Sequence, residues 1–263
     1  MEVVLFFSTG RCGTHYLSKA IKREDAYVCH EVEFPSANRI LATKYIPLAR
    51  TYDYHIAETI WDNYKLPQMQ MTLAKSGSSC YIDTGHQYNY GMWEVLLRKA
   101  SPKVVRLRRD RYETALSFMT TEPSADIWNQ SNYGGYFRWM MNPFFSICNT
   151  PREVLEAWSG LTRFQKVLWA IDEVERQWIR LKQAENINYI DYDFEDMVNG
   201  RRTPLEDFLD CKVIDSDEQN AKNSSAEKSR QKPAIALFQM QEEDSKLQEL
   251  YRLCYPLYQN GSE

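Results

Sequence analysis

The sequence predicts an α/β fold: a central parallel sheet of P-loop-like kind, flanked by helices, in a single domain spanning residues 1–263. Three observations predict it. Short β-branched or aromatic runs alternate with longer helical patterns. A glycine-containing loop joins the first strand to the first helix. The chain has 263 residues, 43% of them apolar, which is enough for one sizeable core in the usual domain size range.

The elements follow in order. VVLFF at 3–7 is a buried strand, because Glu2 precedes it where a signal peptide would be basic and the apolar run is too short for a signal core. Thr14 to Lys22 places Leu17, Ala20 and Ile21 on one helical face. Further strands are read at 27–34 (YVCHEVEF), 80–85 (CYIDTG), 103–109 (KVVRLRR) and 187–194 (INYIDYDF). A helix begins near residue 111, and Leu161 to Ala184 carries Leu168, Ile171, Val174, Trp178 and Leu181 at helical spacing. These stripes face the core and carry no functional role. Two segments break the rhythm. Residues 123–150 mix aromatics with Gly134-Gly135 and prolines and read as a folded lid, whereas 215–233 is polar, bears Lys222, Lys228, Arg230 and Lys232, and reads as either a mobile surface loop or a basic flap.

Charge and cysteine usage narrow the function classes. The net charge of −4 supplies no global positive field for nucleic acid, so any anion site must be local. No run approaches the roughly 18 apolar residues of a membrane span. The six cysteines, at 12, 29, 80, 148, 211 and 254, show no zinc or CxxC spacing, which points to reduced thiols, a cytoplasmic protein and no metal site. Aromatic residues make up 13% of the chain, and their polar handles suit the walls of a pocket for an organic ligand.

The first strand runs into Ser8-Thr9-Gly10-Arg11-Cys12-Gly13-Thr14-His15. Gly10 and Gly13 let the backbone turn tightly with its N–H groups inward, and the helix that follows adds free donors, so a phosphate is the natural guest. Arg11 and the Thr14 hydroxyl complete this cradle. It is not a Walker A loop, since no Lys-Ser/Thr follows the second glycine. A second element lies at the end of KVVRLRR, where Arg109-Asp110-Arg111-Tyr112-Glu113 leads to Ser117, about two helical turns on. An arginine at a strand's C-terminal edge and a serine on the next helix can clamp one further anion, in the crevice where open α/β sheets bind ligands.

This pattern resembles the PAPS-dependent sulfotransferases (PAPS being 3′-phosphoadenosine 5′-phosphosulfate). In that family a Lys/Arg-Ser-Gly-Thr/Ser-Thr loop holds the 5′-phosphosulfate, and an Arg-Asp/Asn-Pro element ending in Ser eight residues after the Arg holds the 3′-phosphate. Arg11-Cys12-Gly13-Thr14 and Arg109 to Ser117 stand in those places. Phe194-Glu195-Asp196-Met197 followed by Pro204 to Leu209 is similar to the family's late Tyr-Glu-Asp-Leu strand end and the helix after it. Cys12, His15 and Arg111 depart from the usual residues, and the basic glycine-containing closing loop of the cytosolic branch is absent. The loop resembles the bacterial, tyrosyl-protein and carbohydrate branches more than the steroid and phenol branch.

The resemblance implies sulfuryl transfer from PAPS to a hydroxyl or amine of a small molecule, leaving PAP. It implies a nucleotide site of Gly10, Arg11, Cys12, Gly13, Thr14, His15, Arg109 and Ser117, with Arg11 also acting on the transferring group. Two residues compete for the base that accepts the acceptor's proton. Glu31 lies 20 residues after Arg11, where the tyrosyl-protein type keeps a Glu, and is preferred on the character of the loop; His86 lies 23 residues before Arg109, near the position of the cytosolic branch's His. Glu31 and Glu33 share one strand face, as do Asp191 and Asp193, which would make the acceptor side acidic and favour a cationic or polar acceptor. The alternatives are a P-loop kinase-type phosphotransferase and a nucleotide-binding module without chemistry.

Overall fold

A computed structural model describes residues 1–30, 48–121, 141–214 and 237–255. The elements needed below run from β1 (Glu2–Phe7) through α1 (Thr14–Ala20), β2 (Ile21–Lys22) and β3 (Ala26–Cys29). Next come α2 (Tyr54–Ile60), a π-helical turn (Trp61–Lys65), α3 (Leu66–Ser76), β4 (Cys80–Asp83), α4 (Trp93–Ala100), β5 (Lys103–Arg108) and α5 (Arg111–Thr121). The chain continues with α6 (Arg152–Ala157), α7 (Arg163–Ala184), β6 (Tyr189–Asp193), α8 (Phe194–Val198), α9 (Thr203–Leu209), β7 (Lys212–Val213) and α10 (Leu237–Cys254).

Five strands form one sheet in the order β3-β4-β1-β5-β6, and every neighbouring pair is parallel. The hydrophobic run of β1 explains its central place, since Val4, Leu5, Phe6 and Phe7 are wholly buried and a strand covered on both faces needs no polar alternation. The period of two divides these side chains between two cores. Val3, Leu5 and Phe7 join the larger core with Trp93, Trp178 and the inner face of α7. Val4 and Phe6 join a smaller one with Leu17, Ala20, Leu205 and Leu209 from α1 and α9. Burying each such large side chain contributes roughly 1.5–3 kcal/mol. The α/β class, the central parallel sheet and the flanking helices therefore stand as expected, and the two cores share one sheet as a single domain requires.

The predicted helix at 14–22 stops two residues early. Ile21 and Lys22 leave it to pair antiparallel with Val213 and Lys212, a second small sheet that buries Ile21 against the lesser core. Helix α7 starts where Thr162 and Gln165 cap each other reciprocally, and it buries Leu168, Ile171, Val174 and Trp178 as their spacing demands. The six cysteines are free thiols. Among the described residues no helix is long and apolar enough to cross a membrane.

Parallel pairing sends every strand's C-terminal end to one edge. Leu5 faces Asp83, Phe7 faces Arg106, Cys29 faces Asp83 and Arg108 faces Asp193. The loop after β1, the turn after β4, Arg109 after β5 and Phe194 after β6 consequently meet along that edge.

Candidate functional site

The loop from Ser8 to Gly13 turns by left-handed backbone at three positions, Gly10 (φ +80°), Arg11 (φ +59°) and Gly13 (φ +86°). Glycine adopts this region freely; for Arg11 it costs on the order of 1–3 kcal/mol, the kind of strain that concentrates at functional sites. The turn is tied internally. Thr9 Oγ1 and Cys12 Sγ both donate to the Gly10 carbonyl, at 3.0 and 3.2 Å, and the Gly10 N–H donates to Ser8 Oγ at 3.3 Å. Gly13 is also the residue that opens α1, with no side chain capping the helix end. A Cβ there would sit 2.7 Å from the Phe194 ring, so the close approach of loop and β6 edge requires glycine.

Arg109 reaches this loop from the neighbouring strand. Its Nη1 donates to the Arg11 carbonyl at 3.0 Å, and its guanidinium lies 4.8 Å from the centroid of the Phe194 ring. Glu113 approaches the other arm at 3.6 Å. Ser117, two turns along α5, accepts from Arg11 Nε at 3.3 Å. The fold thus brings together Arg11, Arg109 and Ser117 from distant parts of the chain, on one edge, with both guanidinium groups beside the left-handed turn. Two cations and a hydroxyl around a glycine loop suit an anion.

His86 belongs to the same place. Its ring covers Gly10, where an added Cβ would meet Nε2 at 3.2 Å, and both ring nitrogens are withdrawn from solvent. Thr9, His86 and Asn89 border a narrow cleft whose opposite wall is Met141 with Ala170, Ile171 and Val174 of α7. On the other flank, exposed His15 meets His30 edge to face with ring centroids 5.4 Å apart, and His30 Nδ1 lies 3.1 Å from Thr84 Oγ1.

Two expected ligand groups point inward. The Cys12 side chain is 1% exposed, and burial pushes its thiol up to about 11, against lowering by Thr9 and Arg109. Cys12 is therefore a neutral packing residue whose side chain is withdrawn from the surface of the loop. Thr14 is buried in the first turn of α1.

The acidic acceptor side is partly overturned. Asp191 and Asp193 pair across the sheet with Arg106 and Arg108, each at 3.0 Å, because the four residues share register and face. These carboxylates are paired with arginines of the neighbouring strand and do not stand as unpaired acids facing an acceptor. Glu31, Glu33, residues 123–140 of the proposed lid and the loop at 215–233 lie outside the described residues.

Sequence reasoning missed three contributors. Asn89 donates from Nδ2 to the Ser8 carbonyl at 2.8 Å and accepts from Trp93 Nε1 at 2.8 Å, fixing the start of the glycine loop. Phe194 supplies the aromatic face under Arg109, although it stood in a motif already noted. Asp83, discussed below, gathers the turn that carries His86. The run Gln87-Tyr88-Asn89-Tyr90 offers no periodic signal from which Asn89 could have been singled out. The chain matches no known family profile and no curated protein.

Proposed function

We propose that the protein transfers a sulfuryl group from PAPS to a hydroxyl or amine of a small-molecule acceptor. The observation that carries this reading is the convergence of Arg11, Arg109 and Ser117. Their sequence spacing matched a two-part nucleotide clamp, and the folded chain sets them within hydrogen-bonding reach of one another. The residues fit a nucleotide with phosphate groups at both ends of its ribose. The loop, with Arg11, would hold the 5′ side, and Arg109 with Ser117 would hold the 3′-phosphate. Phe194 then serves as a platform that keeps the Arg109 plane in place.

The donor supplies an activated sulfuryl group on a good phosphate leaving group, so the protein's tasks are in-line positioning and charge neutralisation. Arg11 neutralises charge that builds on the leaving oxygen. Glu31, preferred on the character of the loop, and His86, which packs over Gly10 beside the cleft, are the two candidates to accept the acceptor's proton. Met141, Ile171 and Val174 give the cleft beside His86 an apolar side.

The test is a thermal-shift and calorimetric comparison of PAP, PAPS and ATP with magnesium, followed by PAP release from PAPS with p-nitrophenol as probe acceptor. Stabilisation by PAP and PAPS, with turnover, supports sulfuryl transfer. Stabilisation by ATP with magnesium alone would replace it with phosphoryl transfer, and PAP binding without turnover would leave a binding module.

A further inference from the structure

Behind the glycine loop lies a charged pair that the sulfuryl-transfer reading does not use. Lys65 and Asp83 have wholly buried side chains, 1% and 0% exposed, with Nζ 3.6 Å from Oδ2. Neither touches solvent, yet removing two charges from water costs several kcal/mol each unless their surroundings compensate. The compensation here is specific. Asp83 accepts from the Gly85 N–H at 2.9 Å, from Gln87 Nε2 at 3.1 Å and from the Tyr88 hydroxyl at 2.6 Å. Lys65 donates to the Tyr81 hydroxyl at 3.1 Å and lies 5.1 and 5.3 Å from the Tyr81 and Tyr88 ring centroids. Tyr27 stacks on Tyr81 with ring centroids 6.0 Å apart.

The helix is deformed to deliver this lysine. Ala57, Trp61, Lys65, Met69 and Leu73 are all buried at a uniform spacing of four. On a regular helix that spacing drifts by about 40° per step and would carry the stripe away from the core. The wider turn at Trp61–Lys65, where the Leu66 N–H bonds the Trp61 carbonyl, takes back part of the drift and keeps Lys65 inward.

What Asp83 holds is the segment that builds one side of the candidate site. Three of its hydrogen-bond donors lie at 85–88, around His86. On either side of them Thr84 holds the Cys29 carbonyl and His30, and Asn89 holds the Ser8 carbonyl. We infer that the Lys65–Asp83 pair is the positioning element of this site, fixing the turn from Thr84 to Asn89 so that His86 stays over Gly10 and the loop keeps its entry angle. Where His86 sits is a matter of structure alone; that its placement matters for turnover rests on the sulfuryl-transfer reading.

The experiment separates the two. Histidine-labelled full chain is compared as wild type, Tyr88→Phe, Asp83→Asn and Lys65→Met/Asp83→Asn, with folding checked by circular dichroism. The chain has only four histidines, so their imidazole nitrogen resonances are assignable by single substitution. The His86 resonances shift and broaden in each variant, while those of His55, whose side chain is 88% exposed, stay in place as the control. PAP release from PAPS falls about tenfold or more, a misplacement effect, while PAP affinity changes less. His86 resonances that coincide with wild type in folded Asp83→Asn or Tyr88→Phe overturn the proposal, whereas unchanged turnover beside a shifted His86 upholds the positioning and removes His86 from the chemistry. Tyr88→Phe, which deletes one hydroxyl, decides the matter if Asp83→Asn does not fold. If wild type neither binds PAP nor turns over PAPS, the sulfuryl-transfer reading fails and the nitrogen spectra still decide the positioning.

Discussion

Arg109 donates to the main-chain carbonyl of Arg11 at 3.0 Å across 98 residues of sequence. The bond aims the second cation at a left-handed turn and holds the carbonyl of a strained residue, so the arrangement of this edge is fixed by the chain's own contacts. Preorganisation of this kind lowers what a ligand must spend on ordering the site.

Removing that arginine should therefore cost binding twice, through the lost contact and through the loosened loop. Arg109→Ala is expected to weaken PAP binding by roughly 1.5–3 kcal/mol, the range for a lost charge-assisted hydrogen bond. Calorimetry checks it; unchanged affinity would remove Arg109 from the site.

Arg11 should matter more for turnover than for binding. Its charge is needed most when negative charge builds on the leaving oxygen, so Arg11→Ala lowers the rate of PAP release from PAPS by a larger factor than it raises the PAP dissociation constant. Equal factors would mean ordinary ground-state binding.

Gly13 is constrained by both backbone and space, with φ of +86° and a hypothetical Cβ 2.7 Å from Phe194. Gly13→Ala should destabilise the chain by about 1–3 kcal/mol, the range for a strained backbone position. Adding Phe194→Leu should recover only part of the loss, because the left-handed strain remains. Denaturant midpoints of the single and double variants measure the two contributions.

Burial raises the thiols of Cys12 and Cys211 to about 11 and that of Cys80 to about 12. In the unfolded chain a thiol ionises near 8.5. The folded state thus binds more protons between these values, and the stability these thiols contribute, complete below about 8.5, is lost as pH rises through 11. The urea midpoint should fall progressively from pH 8.5 to 11, and Cys12→Ala should flatten part of that fall. The same burial predicts that Cys12 resists iodoacetamide at pH 7.5 until the chain unfolds.

The sheet was legible in the sequence because its strands are short β-branched runs and its helices carry apolar stripes; Phe6 and Leu17 are as buried as their patterns require. The meeting of the glycine loop with Arg109 and Ser117 was legible because Gly10, Gly13 and the offset from Arg109 to Ser117 are local in sequence. The pairing of Asp191 with Arg106 was not, since it depends on which strands become neighbours, and neither strand alone states that. Asp83 was hidden for a similar reason. A carboxyl at a strand end reads as solvated until a lysine from a widened helix turn is found beside it.

The two ion pairs between β5 and β6 also act as an alignment code. Sliding β6 by one residue would set Arg106 and Arg108 against hydrophobic partners, and sliding it by two would keep only one of the two arginine–aspartate pairs. A two-residue slip would also shift Phe194 along the strand by nearly 7 Å relative to Gly13, at about 3.3 Å per residue. These pairs are worth little as surface stability, yet they admit a single setting of the edge strand. The distance between the glycine loop and its aromatic platform is consequently written in charges several residues away from either.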